Sequence, residues 1–375
     1  MIKIIELDTR DRRQSRRFLD LPRRLYAGNP CWVPMLEMDA RRMLDRDRHP
    51  FYRHSDAAFF LLEQDGADAG RLAVLDNRHY NEYTHAASAF FYLFECAPRA
   101  GEGAAQALFE AAFAWARGRG LTEIVGPKGF TALDGMGLLV KGFEHRPALG
   151  IPYNLPYYPN LIEAAGFQPD GDTVSGRVAR GFQLPEKIHF AARAVQERMG
   201  LRVMRFRTRA DLRGFVPRLK DLYNGALEGT TGNTPLTDDE ARSMAAQILW
   251  FADPRLIKLI LKGDEMAGFL FAYPDISAAI QRTGGRLWPF GWADMLLELR
   301  RTKWVNINGA GVLPRYRGMG ATALLFSEIY DSLNQGIFEY ADIVQIGVDN
   351  QRMQNELRGL NIDFYKTHRM YKRVL

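Results

Sequence analysis

Cysteine is nearly absent from this chain. Cys31 and Cys96 are the only two in 375 residues, which excludes a disulfide framework and any metal site built from several thiolates. Long apolar runs are missing too, so no segment is read as crossing a bilayer. The first residues, M-I-K-I-I-E-L-D-T-R-D, lack the apolar core of a signal peptide. A reducing cytoplasm is the expected compartment. Neither charge sign dominates: 50 Lys and Arg against 44 Asp and Glu leave +6, a mild bias toward acidic partners that selects none of them. No P-loop of the form G-x-x-x-x-G-K-[ST] occurs. No basic–aromatic motif of a nucleic-acid module appears either. What remains is a 47% hydrophobic, globular composition, long enough for two domains.

The most informative stretch runs from Val312 to Ala321, V-L-P-R-Y-R-G-M-G-A. An apolar, strand-like segment (Trp304 to Val312) precedes it. An amphipathic helix follows, with Ala321, Leu324, Leu325, Ile329 and Leu333 at helical spacing. A strand, an Arg- and Gly-rich turn and a helix start form a place to hold phosphate. Glycine lets backbone approach a ligand closely, and the first N–H groups of a helix lack internal partners at the positive end of its dipole. The Rossmann pattern does not fit, because position 323 is Ala and no acidic residue ends a following strand.

The order Arg315-x-x-Gly318-x-Gly320-Ala321, after Val312 and Pro314, resembles the pyrophosphate loop of the GNAT (Gcn5-related N-acetyltransferase) superfamily, Q/R-x-x-G-x-G/A. The resemblance implies that Val312, Arg315, Arg317, Gly318, Met319, Gly320 and Ala321 bind the pyrophosphate of acetyl-CoA or a longer acyl-CoA. It also implies that the preceding strand pairs with the pantetheine arm while the next strand splays away, and that no metal is needed.

Two halves share one order of elements. In the second, Leu201–Phe206, Leu256–Leu261, Met266–Tyr273, Ala341–Val348 and Phe364–Lys372 read as strands, and helices are expected near 210–226, from Thr237 as N-cap, and from about Asn350. In the first, Ala57–Leu62 and Gly70–Leu75 form a hairpin pattern and Ala89–Cys96 a strand. A helix from about Gly103 carries Ala105, Leu108, Phe109, Ala112, Phe113 and Ala116 at a 3.6-residue period. The expected fold is α/β (α+β): two tandem GNAT-like domains, residues 1–180 and 181–375, each a mixed, mostly antiparallel twisted sheet flanked by helices. The loop after the first half's strand, Pro98 to Gly103, is one residue short and carries Glu102 where phosphate would sit. No CoA is expected there, and an acceptor-binding role is assigned to that half. The family's usual helix, Asn to Tyr to Gly-Phe, reads here Asn350, Met353, Leu357 and Asn361-Ile362. The tyrosine that commonly protonates the thiolate is thus Leu357, and Ile162 holds its place in the first half.

Acyl transfer to an amine needs a base, an oxyanion site and an acid. Glu95, near the end of an aromatic strand, is the candidate base, against the plainer reading of a strand-end charge in solvent. Asn306 and Asn308 alternate on the CoA-side strand; Asn308 is assigned to the catalytic centre and Asn306 to the acceptor. The dense segment from Gly126 to Phe167 contains G-P, D-x-x-G-L-L-V-x-G-F and Y-N-x-P-Y-Y. It resembles a group of bacterial GNAT-like proteins of about this length, some linked to ceramide synthesis. That likeness implies that Asp134, Tyr153, Asn154 and Tyr157 line an acceptor site. The run Leu287 to Trp292 ahead of Met295, Leu296, Leu297 and Leu299 is read as inter-domain packing or as a lipid-facing element. Arginines at 10, 12, 13, 16, 17, 23 and 24 are read first as a solvated helix face and second as a docking face.

The expected activity is N-acyl transfer from acyl-CoA, or from acyl carrier protein, to a primary amine, with a sphingoid-like lipophilic amine as the specific candidate. A lipid acceptor adds peripheral contact with the inner membrane face. Acetyl transfer to a small polar amine and a non-catalytic acyl-CoA sensor are the alternatives.

Overall fold

The computed structural model describes residues 1–230, 233–360 and 362–375; Asn361 therefore lies outside the described residues. The first half runs β1 (Ile2–Glu6), α1 (Arg12–Leu25), α2 (Glu37–Leu44), β2 (Asp56–Gln64), β3 (Ala67–Asp76), α3 (Arg78–Thr84), β4 (Ser88–Cys96), α4 (Gly101–Arg117), β5 (Glu123–Gly126), β6 (Leu138–Lys141), α5 (Tyr158–Ala164) and β7 (Gln168–Val178). The second runs α6 (Glu186–Met199), β8 (Leu201–Met204), α7 (Arg209–Ala226), α8 (Asp238–Phe251), β9 (Ile257–Lys262), β10 (Glu265–Pro274), α9 (Ser277–Thr283), α10 (Gly291–Arg301), β11 (Trp304–Val312), α11 (Ala321–Asn334), β12 (Tyr340–Gly347), α12 (Gln351–Arg358) and β13 (Asp363–Val374).

Helices cover both faces of the sheet in each half. The apolar stripe of α4 is buried along its length against β2–β4 strand residues, including Leu62, Leu72 and Phe91. Phe109 alone meets Phe91, Phe94, Phe113 and Phe167, so Phe109→Ala would cost about 3–5 kcal/mol. On the opposite face α1 and α2 pack Phe18, Leu21, Met43 and Leu44 against Phe59 and Phe90. In the second half α6 and α11 cover one face through Val195, Leu324 and Leu325, and α7 covers the other through Leu212 and Leu222. Thr237 does cap α8, in a reciprocal box with Glu240. Much of the α1 arginine cluster is tied into the protein: Arg17 pairs with Glu63 and Asp68, and Arg23 with Asp20 and Glu37.

The sheet is continuous across the two halves, in the order β1-β2-β3-β4-β5-β13-β7-β12-β11-β10-β9-β8, with the short β6 beside β13. Strands have been exchanged. β13, from the end of the second half, pairs with β5 (Tyr371 opposite Gly126), and its Tyr371 is fully buried in the first half's core. β7, from the first half, pairs with β12 (Ile343 opposite Gly176). The element order alone does not reveal this exchange.

Further ties cross between the halves. Gln345 of β12, at φ +51, takes Met136 N–H on its side-chain oxygen (3.2 Å) and donates to Met136 O. His79 Nε2 lies 2.8 Å from Pro235 O, and His54 Nε2 lies 3.2 Å from Glu240 Oε1.

Candidate functional site

β11 pairs antiparallel with β10 along its whole length, but the register shifts: Phe271 faces Gly309 and Ala272 faces Ile307, so Asn308 is an extra residue. Such a bulge re-aims backbone and side chain at one point. On the other edge, the parallel pairing with β12 ends at Ile307 opposite Ile343. Beyond it, Asn308, Gly309, Ala310, Gly311 and Val312 have β10 on one side and, among the described residues, no strand on the other, and Asn308, Gly309 and Ala310 are half-buried rather than sealed.

The loop that follows delivers the chain to α11. Gly320 sits at the N-cap with φ +90, and a Cβ there would lie 2.5 Å from Val195 Cγ2 of α6. Both conformation and the packing of α6 on α11 therefore require glycine. Among the described residues no side chain caps α11, and its first turn holds no acidic residue, which leaves its N–H groups available to an anion. The loop's cations are already engaged. Arg317 donates to Val312 O and to Ala226 O at the end of α7, both at 3.0 Å. Arg315 pairs with Glu265, which also accepts from Tyr316 Oη at 2.7 Å. Met319 is exposed. Anion binding here thus rests first on backbone N–H groups, with Arg317 bracing the loop and Arg315 shared with Glu265.

The first half repeats the bulge, since Arg71 faces Glu95 while Ala73 faces Tyr92, and Leu93 takes φ +53. Its splayed edge, however, is filled. Tyr157 Oη donates to Cys96 O at 2.7 Å and Tyr158 Oη lies 3.1 Å from Cys96 N, closing the end of β4. Glu102 occupies the first turn of α4.

A cavity of about 1140 Å³ lies between α1, α2, β4, the 127–154 segment and the β10–β11 bulge. Glu95, Asp134, Tyr153, Asn154 and Asn308 line it. Tyr157 and Asn306 do not. Asn306 is fully buried, its oxygen 2.9 Å from Leu149 N and its nitrogen 3.3 Å from Asp275 Oδ2. Asn154 braces β6 through Leu139 N (2.7 Å) and Leu139 O (3.1 Å). Tyr153 Oη donates to Phe143 O at 3.0 Å. Asp134 Oδ2 accepts from Phe130 N and Thr131 N, each at 2.8 Å. Asp134 is half-buried on the cavity wall, and burial pushes its carboxyl up to about 6.

Glu95 is buried. Its Oε2 accepts from Tyr26 Oη (2.9 Å) and Tyr158 Oη (2.7 Å), and Oε1 lies 3.6 Å from Arg71 Nη2. Burial raises its pKa, while Arg71 and the two hydroxyls oppose that. The plainer reading, a strand-end charge in solvent, does not describe it.

Tyr273 on β10 was not among the sequence candidates. Buried and lining the same cavity, it receives the Asn308 amide N–H on its hydroxyl. It stood in the sequence as one aromatic in an apolar strand, and only the strand register across the α9–α10 insert sets it beside Asn308. A polar cluster also joins the halves: Tyr365 Oη donates to Asp342 Oδ1 (2.8 Å), and Lys366 Nζ to Arg146 O (2.8 Å). Among the described residues no group of three or more His, Cys, Asp or Glu is placed to hold a metal.

No family model matches the chain. Two known proteins are similar over nearly all of it. A bacterial ceramide synthase of Caulobacter vibrioides is 27% identical, covering 96% of this chain and 95% of that protein. Protein YghO of Escherichia coli K12 is 24% identical, covering 96% and 92%. Among solved structures, a tandem GNAT protein from the clavulanic acid biosynthesis pathway superposes with a TM-score of 0.57 at 13% identity, over 100% of this chain and 98% of the other. A GCN5-related N-acetyltransferase from Sphaerobacter thermophilus gives 0.52 at 16%, over 100% and 95%. The fold is therefore the tandem GNAT fold, as the loop motif implied.

Proposed function

We propose that this chain, built on the tandem GNAT fold, is an N-acyltransferase that holds acyl-CoA along β11 and the start of α11 and receives an amine through the cavity. The observation that carries this reading is the asymmetry of the halves. After Ile307 the edge of β11 is open beside a glycine loop and an uncapped, acid-free helix start, whereas Tyr157 and Tyr158 close the matching edge of β4. The domain roles follow: residues 181–375 take the donor and residues 1–180 shape the acceptor site.

The amine nitrogen attacks the thioester carbonyl carbon directly, the C–S bond breaks, and CoA leaves as a thiolate. Backbone N–H groups at the Asn308 bulge face the developing oxyanion, with the Asn308 amide beside them. Among the carboxylates that line the cavity, which include Asp20, Glu37 and Asp39 of α1 and α2, Glu95 and Asp134 are the ones assigned to take the amine proton; a carboxyl near 6 suits that task at neutral pH. The Tyr273 hydroxyl, next to Asn308, supplies the proton to the leaving thiolate in place of the tyrosine that Leu357 replaces. Asp134 and Tyr153 face the acceptor. Asn154, Asn306 and Tyr157 shape the site by bracing backbone.

A lipophilic, long-chain amine is the acceptor we favour. The cavity exceeds the ~300–1,000 Å³ usual for small-molecule sites, and the 27% identity to a bacterial ceramide synthase spans both chains almost entirely. The test is a panel of acyl-CoAs of several chain lengths, plus one acyl carrier protein thioester, against lipophilic and polar amines. Free thiol and amide should form together, only with both substrates present, and best with a long-chain amine. Preference for acetyl-CoA with a polar amine would reject the lipid acceptor. Tight CoA binding with no amide across the whole panel would replace the enzyme by the sensor reading.

A further inference from the structure

The insert between β10 and β11 has an apolar surface that no described part of the chain covers. α9 and α10 seat on each other through Ile276, Ile280 and Met295, with Val33 and Leu36 of the first half closing that cluster. Arg282 clamps the pair from outside, with ion pairs to Asp294 (2.8 Å) and Glu298 (2.6 Å). One face of α10 is thus satisfied. Its other face is also apolar. Trp292 and Leu296, one turn apart, and Leu297 join Trp288 and Phe290 of the preceding turn, and all five are between 44% and 80% exposed. A helix apolar on two sides is normally covered on both, and large exposed apolar side chains gathered in one short stretch mark an interaction site. The Trp292 indole N–H already donates to Pro289 O at 3.1 Å, so its ring can enter an apolar phase without orphaning a donor.

Charge and position choose the occupant. Residues 282–301 contain four arginines and two acids. Both acids are held by Arg282, which leaves Arg300 and Arg301 exposed at the end of α10; Arg286, also exposed, faces Glu37 of α2 at 3.6 Å. Trp, Phe and Leu together with arginine is the composition of an element that lies in the interface of an anionic bilayer. No helix among the described residues is long and apolar enough to span a membrane, so contact of this kind stays at the surface. The same insert also reaches the cavity, which Ile276, Ile280 and Arg286 help line.

We propose that the α9–α10 insert docks the protein on an anionic lipid surface and sets the cavity mouth against it. A lipophilic amine can then pass from the bilayer into the cavity without crossing water. That last step rests on the proposed acceptor; the docking itself does not.

The experiment is flotation of the full chain with phosphatidylcholine vesicles, with and without phosphatidylglycerol, at two salt concentrations. The wild type should float with phosphatidylglycerol vesicles, less so at high salt, and little with phosphatidylcholine alone. Trp288→Ser/Phe290→Ser/Trp292→Ser should lower partitioning at least about tenfold while keeping its melting temperature and its turnover of a short, water-soluble amine. Arg286→Gln/Arg300→Gln/Arg301→Gln should lose the phosphatidylglycerol preference. A wild type that stays unbound, or aromatic variants that float as well as it does, would overturn the proposal. So would a dimer that the triple Ser variant dissociates in the absence of vesicle binding, since the surface would then belong to a second copy. Vesicle binding without any amide formation would instead refute the acyltransferase reading and leave the docking intact.

Discussion

Glu95→Gln separates a chemical from a structural role for the most buried carboxylate on the cavity wall. Glu95 and Arg71 are both nearly inaccessible. Arg71 otherwise has Phe18 O at 3.0 Å and the Phe18 ring at 5.0 Å, and its Nε has no partner among the described residues. Removing the carboxylate charge leaves an uncompensated guanidinium in an apolar surround, which costs about 3–5 kcal/mol. Glutamine still accepts from Tyr26 and Tyr158, so lost hydrogen bonding is the smaller part. If the 375 residues unfold as one unit, the loss corresponds to a fall in melting temperature of about 4–6 °C. Replacing both charges, in Arg71→Met/Glu95→Gln, should recover about 2 kcal/mol or more of it, because no buried charge is left alone. Calorimetry and CoA release are read on the same samples. A Glu95 that takes the proton gives a double variant that regains stability and stays inactive. A Glu95 that only anchors β4 gives one that regains both. A single variant as stable as wild type would refute the account of the ion pair itself.

Three further outcomes are expected. Tyr273→Phe should lower kcat about 100-fold with CoA binding by calorimetry little changed; a loss confined to KM would remove it as the acid. Glu265→Gln releases Arg315 while keeping an acceptor for Tyr316, so CoA should bind about threefold tighter, and an unchanged Kd would mean that Arg315 never meets the phosphates. Asp342→Asn alters the dependence of stability on pH. Burial pushes the Asp342 carboxyl up to about 6, above its unfolded value of about 4, so the folded state binds more protons between those values and stability falls as pH rises through them. His49 and His368, pushed down to about 4 by burial, act oppositely, and stability rises from about pH 4 to 6.5. The variant loses the first effect and keeps the second. Its melting temperature should climb more steeply across that range than the wild type's, with a gain of about 2 kcal/mol at pH 7; parallel curves would contradict the shift.

Local patterns made much of this protein legible in advance. The 3.6-residue stripe from Ala105 to Ala116 is the buried face of α4, Thr237 caps α8, and the strand, loop and helix from Trp304 through Ala321 stand where the glycine and arginine spacing implied. Pairings decided by distant partners were not legible. Alternation in β13 tells which residues share a face, not that Tyr371 belongs to the first half's core. Tyr273 and Asn308 belong to strands separated in sequence by α9 and α10, so their meeting depends on a one-residue bulge that leaves no compositional mark. Asn306 and Asn308 looked equivalent, yet the Leu149 segment of the other half seals one of them. Tyr157 and Tyr158 were readable as an aromatic pair near an acceptor site, but plugging the end of β4 is visible only once the splay they fill is known.

The exchange of β7 and β13 also sets a timetable. β5 ends at Gly126, and the strand that natively covers its free edge begins at Asp363, more than 230 residues later. At the ~5–20 residues per second of chain synthesis, that edge waits on the order of 10 s or longer for its partner. Throughout that interval the nascent first half carries an open row of backbone donors and acceptors and a core still missing Tyr371, the kind of edge on which chains aggregate. A translation pause placed after β7 would lengthen that exposure, and the last-made strand of the fold is the one that makes its first-made half safe.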